Sequence, residues 1–438
     1  MELKKLGFFF AVVIHSLWRV EAAPACMIYL TLTPLARSTE ERYLEINWGS
    51  ECGEKMWIGI FQKDPSLFNE QPIYYMDTHN RPSGYEMTGI QLGHVDLPEE
   101  WQDSSGNKKN FRTQCLPYFV AGFSGDDLVA LDCLKIQPQW QTQMKDLIGN
   151  TPLKELFIPG THCSACYVNE TQFRAPLLSQ IVFTQDFNVW TQLVFGVRYL
   201  DVSVGYHQRD GLNERFWIVA DNVLVSPIEK LLQDVQKFVQ TTGEVVILDF
   251  GAFPLGFGIH SERHEEFREF LKRELKDVAF PRQKDSRESF DFTINEIQST
   301  GKSLIVTYAE DVANSEILWK SWEKHSSADL MDSEIREYVR NLFGRRNMSG
   351  QESSDNGWIF YGVQSLDAYV GRYMKFLSSR ERAASINRNL TIWLSGPWSL
   401  NANAVAVDYI LSSCLLDIAI NTNRHKAYKS SHLLHIDY

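Results

Sequence analysis

The stretch Ile158-Pro159-Gly160-Thr161-His162 decides how this chain reads. A short apolar run closing on Pro-Gly-Thr-His is a buried strand that delivers an imidazole to the loop at its carboxyl end. Two comparable runs follow, Gly196-Val197-Arg198-Tyr199-Leu200-Asp201 and Phe216-Trp217-Ile218-Val219-Ala220. Working outward, strand-like runs over 155–159, 197–204, 216–219, 245–250, 303–308, 358–363, 391–394 and 404–410 alternate with helical patterns. Ile228, Leu231, Leu232, Val235, Phe238 and Val239 fall at helical spacing with Gly243 behind them, and Phe267, Phe270, Leu271 and Leu275 mark a second helix. Near-continuous apolar strands separated by amphipathic helices imply a parallel sheet covered by helices. About eight such repeats predict an α/β fold, a (β/α)8-type TIM-like barrel over residues 140–428 with 429–438 as a tail.

Ahead of residue 140 the pattern changes. Runs over 27–32 and 43–48 alternate apolar with polar, 56–61 is nearly continuous, and 118–123 and 128–133 extend the series between turn clusters such as Arg81-Pro82-Ser83-Gly84. This predicts an all-β sandwich domain over residues 24–136. Before it, Lys4 and Lys5, an apolar run from Phe8 to Trp18 and the small pair Ala22-Ala23 read as a signal peptide over 1–23. The expected destination is secreted, with no transmembrane segment in the mature chain. Asn169, Asn347 and Asn389 each open an Asn-x-Ser/Thr triplet, which suits that compartment. The chain has seven cysteines, and Cys26, Cys52, Cys115 and Cys133 are placed to staple the sandwich. A net charge of −12 argues against nucleic acid as a partner and against general attraction to anionic membranes.

The order of these motifs resembles the phosphatidylinositol-specific phospholipase C X-domain family, in particular its small secreted animal members. The resemblance implies attack of the inositol 2-hydroxyl on phosphorus. A general base takes that proton, a general acid protonates the departing diacylglycerol oxygen, and an arginine or calcium ion offsets charge on the phosphoryl oxygens. His162 matches the first of the family's two proton-transfer histidines, and Asp201 and Asp408 match retained carboxylate positions, Asp408 as a partner for His162. Four positions depart from the pattern. Cys163 stands where relatives carry Asp or Asn, Ser203 where Gly-x-Arg-x-x-Asp-x-Arg ends in its phosphate-facing arginine, and Ala220 where Ile-Val-His supplies the second histidine. Gly251 stands where relatives place a glutamate or a histidine. Arg198 lies at odd spacing from position 203, so it occupies the opposite strand face and has a structural role.

Losing a general acid typically lowers a rate by about 10²–10⁴, and losing a charge-stabilising donor by roughly 10²–10³, without simple additivity. The reading is therefore a phospholipase C X-domain-like protein with lost or strongly reduced catalysis, binding an inositol-phosphate or phosphoinositide headgroup. Two alternatives stand beside it. One is an active phosphoric diester hydrolase in which His162, Asp201 and Asp408 work with compensation from His207 or Asp221; the other is a secreted protein-interaction module. His162-Cys163-Ser164-Ala165-Cys166 has no second cluster at metal-ligand spacing, so neither a metal nor a cofactor is expected. A local disulfide, buried thiols or pairing of one of these cysteines with Cys414 all remain open, as does the oligomeric state.

Overall fold

The computed structural model describes residues 26–35, 42–49, 52, 56–78, 81–92, 95–103, 111–167, 180–208, 214–220, 222–283, 285–312, 315–344, 356–366 and 378–433. The signal-like stretch 1–23, Asn169, Asp221, Asn347 and residues 434–438 lie outside the described residues.

Seven strands form two facing antiparallel sheets. One is ordered β1 (Ile28–Leu32), β2 (Arg42–Trp48) and β5 (Gly84–Leu92). The other is ordered β4 (Tyr74–Asp77), β3 (Trp57–Phe61), β6 (Gln114–Ser124) and β7 (Asp127–Ile136). Ile58, Ile60 and Val120 alternate inward and are fully buried. Close approach of the two sheets explains Gly122, where an added Cβ would lie 2.3 Å from Ile28 Cδ1. Disulfides Cys26–Cys52 and Cys115–Cys133 staple this unit.

Eight parallel strands follow: β8 (Ile158–Thr161), β9 (Tyr199–Tyr206), β12 (Val246–Leu255), β13 (Leu304–Tyr308), β14 (Leu318–Lys320), β15 (Glu323–Ser326), β16 (Trp358–Gly362) and β17 (Ala404–Val407). Each pairs with its neighbour in sequence order, and β17 pairs back onto β8, so the sheet curls into a barrel. The ring is open at one place, between β14 and β15, where no pairing joins the two strands. Ile158, Tyr199, Ile247, Ile305, Ile359, Ala404 and Ala406 fill the interior.

Two of the strand-like runs read from the sequence take other roles. β10 (Phe216–Ala220) is antiparallel, a hairpin with β11 (Val223–Pro227) that hangs on the outer length of β9. The run 391–394 is the last turn of the helix Ser379–Leu394, opened by a Ser378/Glu381 capping box. Its burial explains the difference: Ala383, Ile386, Leu390 and Leu394 line one helical face, so Thr391-Ile392-Trp393-Leu394 continues a period of 3.6 rather than starting a strand. Asn389 is half-buried on this helix. The barrel takes its missing members from β14 and β15, which are short, and β15 is polar.

The sandwich and the barrel share one core, in which Trp190 Nε1 donates to Trp101 O at 2.8 Å. Charged groups lock the seam: Arg388 pairs with buried Glu45 and stacks 4.0 Å over Tyr85, and Asp186 is flanked by Arg42 and Arg380. Among the described residues no helix is long and apolar enough to cross a membrane.

Candidate active site

His162 follows β8 directly and Asp408 follows β17 directly, so neighbouring parallel strands deliver them side by side at the carboxyl end of the barrel. His162 Nδ1 lies 2.7 Å from Asp408 Oδ1; the imidazole is one-third exposed and the carboxylate is buried. The aspartate orients the ring through Nδ1. The two residues that follow this pair, Cys163 (φ 36°) and Tyr409 (φ 48°), are both left-handed without being glycine. Each conformation costs about 1–3 kcal/mol and is held by its surroundings. Cys163 N donates to Asp201 Oδ2 at 3.1 Å, Tyr409 N to Thr184 O at 2.6 Å, and the Tyr409 hydroxyl to Phe183 O at 2.6 Å. Gln185 Nε2 ties the two strand ends together, donating to His162 O at 3.0 Å and Val407 O at 2.9 Å.

Asp201 lies on the interior face of β9, accepting from the Tyr361 hydroxyl at 3.1 Å as well as from Cys163 N. Tyr361 meets the His162 ring edge-on, centroids 6.0 Å apart. Burial and the neighbouring Asp201 charge push the Tyr361 hydroxyl well above its ordinary value, so it stays a proton donor.

A further group was invisible in the sequence. Lys324, on β15, sends its Nζ to Asp249 Oδ2 at 2.9 Å and to Gly251 O at 3.1 Å. Asp249 is fully buried and also accepts from Thr307 Oγ1 at 2.6 Å, Ser321 Oγ at 2.7 Å and the Tyr199 hydroxyl at 3.0 Å. Burial alone would raise the Asp249 carboxyl; the Lys324 charge and the hydroxyls reverse that and hold it below its usual range. For Lys324, burial opposes the charge, but Asp249 and Asp201 outweigh it and hold the ammonium protonated above its usual value. The sequence carried one trace of this cation, the glycine at 251 in a strand otherwise lined with side chains.

The remaining sites are placed as follows. Ser203 lies two residues past Asp201 on the same face of β9. Ala220 is buried at the end of β10, and beside it the Val219 carbonyl faces Cys163 Sγ at 3.5 Å. Cys163 and Cys166 form a disulfide, while Cys414 is a buried free thiol. His207 is six residues beyond Asp201, roughly 20 Å along an extended strand, and its ring faces Trp217. It is not brought to His162. Arg198, immediately before β9, is completely buried and paired with Glu244 at 2.9 Å. A calcium ion does not fit the acidic groups present. Between Asp201 and Asp249 the place of a cation is taken by the Lys324 ammonium, and Cys163, tied into a disulfide, offers no hard oxygen donor.

These features define a parallel α/β barrel with an imidazole–carboxylate pair and one ammonium group at the carboxyl ends of its strands. Sequence relatives fall in one group. PI-PLC X domain-containing protein 3 of Danio rerio is 26% identical over 163 residues, covering 32% of this chain and 49% of that protein. The Homo sapiens protein of the same name is 27% identical over 154 residues, covering 30% and 46%. Homo sapiens PI-PLC X domain-containing protein 1 is 24% identical over 202 residues, covering 41% and 59%. The chain is thus similar to PI-PLC X domain-containing proteins, and its match spans about half the length of these relatives. No protein-family model matches. Among solved structures, the phosphatidylinositol-specific phospholipase C of Listeria monocytogenes aligns at TM-score 0.47 and 18% identity, over 65% of this chain and 98% of that one. A Staphylococcus aureus phosphatidylinositol-specific phospholipase C structure aligns at TM-score 0.49 and 17% identity, over 65% and 97%.

Proposed function

We propose that this chain is a secreted phospholipase C X-domain-like protein that holds inositol-phosphate headgroups at the barrel mouth and turns over phosphodiesters weakly or not at all. The observation that carries this reading is Ala220, a buried methyl group beside the Cys163–Cys166 disulfide, where the resemblance calls for a second proton-transfer group. His162 with Asp408 can accept the proton of an attacking hydroxyl. Expelling an alkoxide without a positioned acid is slower by about 10²–10⁴. The three disulfides support an oxidising, extracellular location.

One observation favours a second reading, an active divergent phosphodiesterase. Lys324 brings a positive charge to the mouth although Ser203 does not. The test is release of inositol phosphate from phosphatidylinositol vesicles, with and without calcium, by the full chain and by His162→Ala. We expect headgroup binding with turnover no greater than that of H162A. Turnover that H162A abolishes refutes the reduced-catalysis reading in favour of the second.

A further inference from the structure

Lys324 and Gly251 are two halves of one feature. A Cβ added at Gly251 would lie 2.1 Å from Lys324 Nζ, 2.8 Å from Asp249 Oδ2 and 3.2 Å from Asp201 Oδ1. The ammonium therefore occupies the volume that any side chain at 251 would need, reaching across the barrel interior from β15 to β12. Of its three N–H donors, two are taken by Asp249 and the Gly251 carbonyl, which leaves one for a ligand. The side chain as a whole is 31% exposed. His162 stands 6.0 Å and Lys324 5.9 Å from the centre of the same Tyr361 ring, so the two groups flank one aromatic side chain.

The signs of charge around that ring narrow the ligand. Asp201, Asp249 and Asp408 outnumber the cations, so a bare phosphate gains little from the net field. A polyol carrying a phosphate suits both signs, because its hydroxyls donate to the carboxylates while a phosphate oxygen meets the ammonium. We propose that Lys324, reaching in from β15, is the phosphate-binding cation of this mouth, and that its ligand is a phosphorylated cyclic polyol rather than free phosphate. The inference rests on the headgroup-binding reading above. Lys324 replaces in space, from the opposite wall, the charge missing at Ser203, and Gly251 is the vacancy that admits it.

The experiment titrates the full chain with inositol 1-phosphate, inositol and inorganic phosphate, and with vesicles of phosphatidylcholine with or without phosphatidylinositol. We expect inositol 1-phosphate to bind more tightly than inositol or phosphate. The vesicle arm reports whether the headgroup is taken from lipid or free in solution. Lys324→Met should weaken inositol 1-phosphate binding about 10- to 100-fold, the worth of one charge-assisted hydrogen bond, and leave inositol unchanged. Lys324→Arg should restore most of it. Gly251→Ala should weaken it as well, since the new methyl group displaces the ammonium without removing its charge. If K324M strands Asp249 and fails to fold, K324M/D249N replaces it, with the same loss expected. Equal affinity of wild type and K324M or K324M/D249N for inositol 1-phosphate overturns the role of Lys324 and leaves the headgroup reading standing. No binding of any probe by the wild type overturns the headgroup reading, and the inference with it.

Discussion

Substituting Glu244 by alanine isolates what Arg198 does. The guanidinium is completely buried and donates to Glu244 (2.9 and 3.2 Å) and to the carbonyls of Leu193 (2.9 Å), Val197 (2.8 Å) and Pro138 (2.9 Å). It also lies over the rings of Phe238 (5.0 Å) and Trp140 (5.8 Å). Glu244 in turn accepts from Gln141 N (3.0 Å) and Thr142 N (2.8 Å), the free amides of the short helix Trp140–Gln143 that begins the barrel. Removing this carboxylate leaves a buried cation without its counter-charge, a loss of about 3–5 kcal/mol. At roughly 2 °C per kcal/mol for a chain of this size, the melting point should fall by about 6–10 °C. Adding Arg198→Met to Glu244→Ala removes the stranded charge and should recover part of that loss. Differential scanning fluorimetry and urea titration of the two single variants and the double provide the cycle. Because Arg198 points out of the barrel about 10 Å before Asp201, headgroup binding measured well below the melting point should be unchanged. A loss under 1 kcal/mol in E244A, or additive single losses in the double, would refute the assignment of Arg198 to the barrel wall.

Two further outcomes are expected. Installing the missing groups as Ala220→His with Ser203→Arg should raise phosphatidylinositol cleavage by about 10²–10⁴ over wild type, measured as inositol phosphate release; no gain in a folded variant means that these positions do not face the headgroup. Burial and the Asp417 charge raise the Asp132 carboxyl to about 6, with Lys135 offsetting only part. A folded value above the unfolded one means that its stabilising contribution is complete below about pH 4 and is lost as pH rises through 6, up to ~3 kcal/mol. Asp132→Asn should therefore melt higher than wild type at pH 8 and lose that advantage only as pH falls to about 4.

What could be read from residues alone followed the strength of the local pattern. The strands around His162, Asp201, Asp249, Tyr308, Tyr361 and Asp408 are apolar runs at strand length, and burial on both faces made them legible. The run 391–394 resembles a strand because β-branched and aromatic residues close the helix, and only the period set by Ala383, Ile386 and Leu390 distinguishes it. β14 and β15 are three and four residues long, and Glu323-Lys324-His325-Ser326 carries no apolar periodicity. Their membership in the sheet is imposed by pairing with β13 and β16. Lys324 was hidden for the same reason: its role depends on which strand lies across from Gly251, a tertiary fact with no local signature.

The backbone at the mouth bears on whether the pocket is a relic. Left-handed residues at Cys163 and Tyr409 each cost about 1–3 kcal/mol, and both immediately follow the residues of the imidazole–carboxylate pair. A barrel end kept only as a lid for the core would shed that strain through relaxed turns and fill the interior with aliphatic side chains, as the layer below does with Ile158, Ile247, Ile305 and Ile359. Here the strain is retained, pinned by Asp201, Thr184 and Phe183, and the layer above the aliphatic one is polar: Asp201, Asp249, Thr307, Lys324 and Tyr361. Polar groups so placed destabilise the core unless fully partnered, and the third N–H of Lys324 is left to solvent or a ligand. That combination supports the proposed headgroup-binding reading over a vestigial pocket behind an interacting sandwich.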